Sequence, residues 1–347
     1  MSKVLIVIVV YNGVSYLREC LESLSSCTYP KDQLGILVID NKSSDASVAY
    51  IKEHWTNIFI VENQQNIGFA AANNIGMQQG IDGGYEYVYL LNQDTVVKPD
   101  FLDEVVNVAQ ADKTIGAIQS KLLLYHDQGK INSIGNEIHY LGFAFAGGYQ
   151  LDDQPLAVKE ITYPSGASVL LRISALQDVG LFNPDFFMYH EDTDLGWRLW
   201  LGGHRVVLAP LSVVFHKYKF SRSIKKYYYM ERNRHLVLLQ NYRLGTLLLI
   251  LPAYAVMCLG MLVYSLFAGW GGQYLRTNLY FCRLSSWRKI IQTRRQVQKK
   301  RRVTDRQIVG RFVGKIEFQD FQNPLLKYIA NPIFNAYWQV AKRLIQW

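Results

Sequence analysis

Apolar runs alternating with helical patterns over about the first hundred residues constrain this chain more than any other feature. Residues 4–10 form an unbroken apolar run, and residues 15–25 then place Leu17, Leu21 and Leu24 on one helical face. A second apolar run at 36–39 ends at Asp40-Asn41, and residues 48–54 read as a helix. A third strand is expected at 58–61, a helix at 69–79, and a fourth strand at 85–91 that ends in Asn92-Gln93-Asp94. Continuous apolar strands separated by helices predict a mostly parallel, doubly wound α/β sheet, buried on both faces. Ligands of such sheets bind beyond the carboxyl ends of the strands, and Asp40, Asn66 and Asp94 all stand at or just after such ends.

Further along, residues 115–171 change to shorter strands with glycine-rich turns, suited to a substrate-facing subregion. A helix at 192–201 and a returning strand at 205–215, ending at His216, complete the pattern. The helix opens on Glu191, Asp192 and Asp194, three carboxylates within four residues. Like charges so close raise one another's pKa unless a cation or substrate shares them. An acidic helix start is the alternative, because carboxylates suit the macrodipole.

The remaining motifs also have two readings. Asp40 can accept hydrogen bonds from a ribose or pyrimidine, while Asp45 suits a helix cap. In Asn66–Gly76, small residues can admit a nucleotide to the helix backbone, or serve close packing on the sheet. Asp94 at a sheet edge can hold a hard divalent cation, and His216 can add a nitrogen ligand.

Taken in order, residues 7–13, 38–45, 66–76, 91–97, 165–167 and 180–198 with His216 resemble inverting family 2 glycosyltransferases of GT-A, Rossmann-like fold. The likeness is nearest to the bacterial rhamnosyltransferase-like branch. It implies a catalytic domain over 1–235 and a helical, basic and hydrophobic membrane-associated region over 236–347. It implies Asp192 as catalytic base with Glu191 beside it at the acceptor site. Tyr11, Asp40, Asn66, Gly68, Asn73, Gly166 and Asn92 become donor or nucleotide contacts. Asp94 and His216 become holders of Mg2+ or Mn2+, with Asn92 standing where the metal motif's first acid would be. Trp197, Arg198, Arg222 and Arg232 are weaker candidates for acceptor or diphosphate contacts. The implied reaction moves L-rhamnose from dTDP-rhamnose to a hydroxyl of a lipid-linked or growing polysaccharide. Galactofuranose, glucose or N-acetylhexosamine are alternative donor sugars, and a non-catalytic nucleotide-sugar or lipid-head binding module is the rival of another class.

Residues 244–269 carry no formal charge, and eleven Lys and Arg follow between Arg276 and Arg306, opposed by Asp305 alone. Beside a long apolar stretch, such a cluster points to anionic lipid rather than nucleic acid. Pro252 and Gly260 interrupt the stretch, which favours re-entrant or interfacial helices over a simple crossing; a buried hairpin of a soluble protein is the alternative. The partners expected are a nucleotide-sugar, a polyprenyl-diphosphate-linked saccharide or polysaccharide, and membrane lipids, at the cytoplasmic face of a bacterial plasma membrane. Cys20, Cys27, Cys258 and Cys282 show no zinc or disulfide spacing, which fits a reducing compartment. The apolar N-terminus runs into Tyr11-Asn12-Gly13 rather than a small-residue cleavage site, and reads as a first strand, not a signal peptide.

Overall fold

The structure, a computed structural model, describes residues 2–218, 224–317 and 324–347. Its first half alternates β1 (Val4–Val10), α1 (Val14–Ser25), β2 (Leu34–Asp40), α2 (Ser47–His54), β3 (Phe59–Glu62), α3 (Phe69–Asp82) and β4 (Tyr87–Asn92). Then come β5 (Thr95–Val97), α4 (Phe101–Ala111), β6 (Ile115–Leu124), β7 (Ile131–Ser133), β8 (Asn136–Ile138), β9 (Ala144–Ala146), β10 (Lys159–Glu160) and β11 (Ser168–Arg172). The sheet-bearing part closes with α5 (Ile173–Val179), α6 (Glu191–Leu201) and β12 (Arg205–His216).

Strands follow the order β10-β12-β6-β11-β4-β1-β2-β3, with β5 on β12 and β7 on β6. The expected parallel pairing holds for β3-β2-β1-β4 and for β6 beside β12. Between these blocks β11 runs antiparallel to both neighbours, so the whole sheet is mixed. Period-two alternation explains the double-sided core. In β1, Val4, Ile6, Ile8 and Val10 pack with α1 and α4, while Leu5 and Val7 face α3. The small residues of α3 bring it close to the sheet: a Cβ on Gly76 would stand 2.2 Å from Val7 Cγ1, and one on Gly80 would stand 2.4 Å from Val88 Cγ2. At Gly76 and Gly80 close packing on the sheet is the reason for the small residue.

The C-terminal third is helical: α7 (Ile224–Asn241), α8 (Leu244–Phe267), α9 (Gly271–Phe281), α10 (Leu284–Lys300), α11 (Asp305–Ile308) and α12 (Asn331–Leu344). The expected boundary at 235 falls inside α7, and the helices share a hydrophobic core with the sheet. Tyr140 stacks on Trp338 at 4.6 Å, Trp197 meets Tyr242 and Phe312, and His139 bridges to Val313. The basic run divides by duty. Arg294 caps the last carbonyls of α7 at Leu239 and Tyr242, and Arg301 forms a buried pair with Asp305 at 2.7 Å. Arg283, Arg288, Arg295, Lys299 and Lys300 stay exposed.

Candidate active site

The residues expected to meet the donor gather where β1, β2 and β4 end. Gln93 clasps the turn after β1, its Oε1 accepting from Tyr11 N at 3.1 Å and its Nε2 donating to Tyr11 O. The close fit needs Gly13, where a Cβ would lie 2.0 Å from Gln93 Oε1. Tyr11 itself projects outward, 47% exposed. Asp40 is buried and accepts from Ser43 N at 3.1 Å. Asp45 accepts from Val14 N and Ser47 N, so it fastens the starts of α1 and α2, as its capping reading expects.

Asn66 belongs to a carboxamide network. Its Oδ1 accepts from Asn41 Nδ2 and Gly68 N, both at 2.9 Å. Gly68 has φ +86° and a Cβ there would lie 2.5 Å from the Phe187 ring and 2.6 Å from the Phe187 carbonyl oxygen, so the two segments are in close contact. Asn73 is buried and donates to Phe69 O on its own helix. These three residues lie in one region, with their polar groups largely turned to the protein.

Asp94 and His216 do come together, Oδ1 standing 3.4 Å from Nε2. Buried Asn132 holds the other imidazole nitrogen, Oδ1 to Nδ1 at 2.9 Å. With the Nδ1 proton donated to that carbonyl, Nε2 turns its lone pair or a second proton toward the carboxylate. A cation between them resolves the unfavourable lone-pair case, and one carboxylate with one imidazole is a donor set that fits Mn2+ or Mg2+. No group of three or more candidate ligand side chains occurs among the described residues.

The acceptor side is built differently. Glu191 and Asp192 open α6 after a loop in which Phe187, Tyr189 and His190 all have positive φ, a strained conformation for residues with side chains. Asp192 is half-buried; its Oδ2 accepts from Gly166 N at 3.2 Å and its Oδ1 from Thr193 N at 2.7 Å. Ala167, next to Gly166, accepts from Asn92 N at 2.9 Å, so one short turn ties the end of β4 to the carboxylate pair. Glu191 is buried, and its Oε2 finds no partner among the described residues. Burial, and then the charge of Asp192, pushes the Glu191 carboxyl well above the usual range. Burial also raises Asp192, against hydrogen bonds from Gly166 and Thr193 that lower it. The pair therefore carries one proton more readily than two separate carboxylates, and the hydrogen-bonded Asp192 is the better seat for the charge.

Three weaker expectations are corrected. Trp197 is 1% exposed and lies edge-on to Tyr242 and Phe312, so it is a core residue. Arg198 is buried, pairs with Asp194 at 2.7 Å, and donates to the carbonyls of Val179, Gly180 and Leu181. Arg232 is buried too and donates to the carbonyls of Asp185 and Phe186. All three act on protein rather than ligand. Arg222 lies outside the described residues. Sequence reasoning missed Asn132, Gln93 and Asn41, whose partners lie 84, 82 and 25 residues away and leave no local pattern.

Residues 5–180 match the family model described as glycosyl transferase family 2. Among curated proteins, the chain is 32% identical over 206 residues to the poly-beta-1,6-N-acetyl-D-glucosamine synthase of Staphylococcus aureus (strain COL), covering 58% of this chain and 47% of that protein. The Staphylococcus epidermidis protein of the same name is 30% identical over 202 residues, covering 58% and 46%. The match thus spans about half the length of these relatives. Among solved structures, GalNAc-T7 with UDP, GalNAc and Mn2+ is 16% identical at a TM-score of 0.55, over 68% of this chain and 48% of that one. S. aureus TarS 1-349 is 15% identical at a TM-score of 0.51, over 98% and 90%. At such identities the likeness is one of fold.

Proposed function

The chain belongs to glycosyl transferase family 2, a glycosyltransferase of GT-A fold, and on that premise we propose that it transfers one sugar with inversion from a nucleotide-sugar to a hydroxyl of a surface-polysaccharide acceptor. The observation that carries this reading is the Glu191–Asp192 pair, tied through Gly166 and Ala167 to the strand end that leads to Asp94 and His216.

Asp192 accepts the proton of the acceptor hydroxyl as that oxygen attacks the anomeric carbon and the bond to the nucleoside diphosphate breaks. One displacement from the opposite face inverts the configuration. Protonated Glu191 keeps the neighbouring charge single and leaves its free oxygen for an acceptor hydroxyl. Tyr11 and Asp40 border the donor side. Mg2+ or Mn2+, held by Asp94 and His216, would supply neutralisation of the departing diphosphate.

The motif resemblance supports L-rhamnose from dTDP-rhamnose as the donor. The curated relatives, named for N-acetylglucosamine polymers, support N-acetylhexosamine as the second reading. Thermal shift against a panel of nucleotide-sugars, with and without Mn2+, followed by the anomeric configuration of the product, tests the reading. Binding of none of them, or retention of configuration, overturns it.

The acceptor is membrane-borne in this proposal, a polyprenyl-diphosphate-linked saccharide or chain at the cytoplasmic face. Helix α8 is long and apolar enough to cross a bilayer, yet it docks one face on the protein through Thr246, Ile250, Ala253 and Met257. Its other face leaves Leu248, Val256, Leu259, Leu266 and Phe267 exposed. Exposed cations of α10 follow in the chain. The helix runs unbroken through Pro252 and Gly260, and its exposed apolar face supports contact with lipid. Full solubility in low salt without detergent defeats the membrane proposal.

A further inference from the structure

Beyond the segment that matches the family, residues 5–180, helix α7 grips the loop that delivers the carboxylate pair. Asn233 is 0% exposed, and its Nδ2 donates to Phe186 O at 2.9 Å, Met188 O at 2.9 Å and Tyr189 O at 2.7 Å. Its Oδ1 in turn accepts from Arg232 Nε and Nη2 at 2.9 and 2.8 Å. Every polar atom of this carboxamide is thus committed within the protein.

The gripped segment is the strained one. Phe187, Tyr189 and His190 have φ of 64°, 67° and 66°, and backbone held there persists only where surroundings over-determine it. Among the described residues no side chain caps the start of α6, whose first-turn Asp194 N donates to His190 O at 2.9 Å. The loop's other end sits on the donor-side helix, with Ala70 N donating to Phe187 O at 3.1 Å. So the position of Glu191 and Asp192 relative to the donor side passes through a loop whose shape its own sequence disfavours.

We propose that Asn233, braced by Arg232, is a positioning residue for transfer: its carboxamide holds the loop 186–190 in the left-handed form that sets Glu191 and Asp192 against the donor. The proposal rests on the assignment of that pair to the reaction. Chemistry selects Asn here. An Asp of equal shape would turn a carboxylate oxygen toward three carbonyl oxygens, and an Ala would take away the Asn233 donor from Met188 O and Tyr189 O while Phe186 O keeps Arg232.

Asn233→Asp and Asn233→Ala test it, with Asn331→Ala as the control for losing a buried carboxamide. Asn331 bonds Ile316 N and O at 2.8 and 3.0 Å, in the C-terminal helices. Turnover is read as nucleoside diphosphate release from dTDP-rhamnose and from UDP-N-acetylglucosamine, and donor-site integrity as UDP and dTDP binding with Mn2+. A displaced pair costs about 100-fold in kcat for the Asn233 variants, with donor KM and nucleotide affinity changed less than about twofold. Amide exchange quickens over 186–194 in these variants and not in Asn331→Ala. Loss of kcat no larger than in Asn331→Ala, a parallel loss of nucleotide binding, or unchanged exchange over 186–194 overturns the proposal. If both Asn233 variants fail to fold, Arg232→Lys, which keeps the charge and loses the two-pronged grip, must show the same split between kcat and KM. A wild-type chain that binds and turns over no donor refutes the proposed function, whereas turnover with indifferent Asn233 variants refutes only this inference.

Discussion

The two sides of the site place carboxylates by opposite means. On the donor side, Asp40 and Asp94 stand at the ends of buried strands, and the turns around them are satisfied by short polar loops. On the proposed acceptor side, Glu191 and Asp192 follow a loop with three positive-φ residues; Asp192 is half-buried, and Glu191 is buried with one oxygen unpaired among the described residues. The first arrangement comes with the sheet at no extra cost. The second stores strain and desolvation, and both must be balanced by contacts from α7 and from the Gly166 turn. Removing a proton needs a carboxylate whose affinity for it has been raised.

The sharpest way to break this contrast is Asp192→Asn, which keeps the shape and the start of α6 but removes the base. Transfer falls about a thousandfold while nucleotide binding with Mn2+ stays within about twofold of wild type, as calorimetry would measure. Loss of nucleotide binding would place Asp192 on the donor side and collapse the distinction. Next in size is Asn132→Ala, which frees the His216 ring without touching a ligand. Mn2+ affinity in the presence of UDP weakens about 10- to 100-fold, and the position of the acid limb does not move. Unchanged Mn2+ affinity would remove His216 from the metal site.

The same contrast explains what could be read in advance. Strand ends follow from apolar periodicity, so β1, β2 and β4 and the acids behind them were visible in 4–10, 36–39 and 85–91. The start of α6 was also visible, because carboxylates crowd its first turn. Hidden were the residues that act across the fold. Arg198 and Arg232 carry charge in an inviting place, but their guanidinium groups close turns of the main chain. Gly68 looked like room for a ligand, and only tertiary contact reveals that Phe187 packs against it. A charged or small residue advertises its chemistry, but not which side of the molecule it serves.

Gly68 is where the two sides touch, so it probes their coupling. In Gly68→Ala the side chain meets both a positive φ and the Phe187 ring, which costs about 1–3 kcal/mol of stability in chemical denaturation. The clash falls on the ring and the backbone carbonyl of Phe187, in the loop that precedes Glu191, so kcat falls more than nucleotide affinity does. Equal losses would show that α3 serves the donor more directly than the catalytic loop.

The smallest effect is the most discriminating for the pair itself. Burial raises both carboxyls, so the acid limb of kcat lies above the usual carboxylate range, and activity climbs as pH rises through it. If Glu191 is the member that keeps its proton, Glu191→Gln replaces one neutral group with another. The limb then stays where it is in the wild type, and only acceptor KM worsens, by about fivefold for one lost hydrogen-bonding contact. If Glu191 carries the charge instead, its neighbour loses a repelling carboxylate on substitution, and the limb moves down toward ordinary Asp values. The pH profile of one conservative variant therefore decides which of two adjacent carboxylates is the base, and with it whether the hydrogen bonds from Gly166 and Thr193 select the charged member.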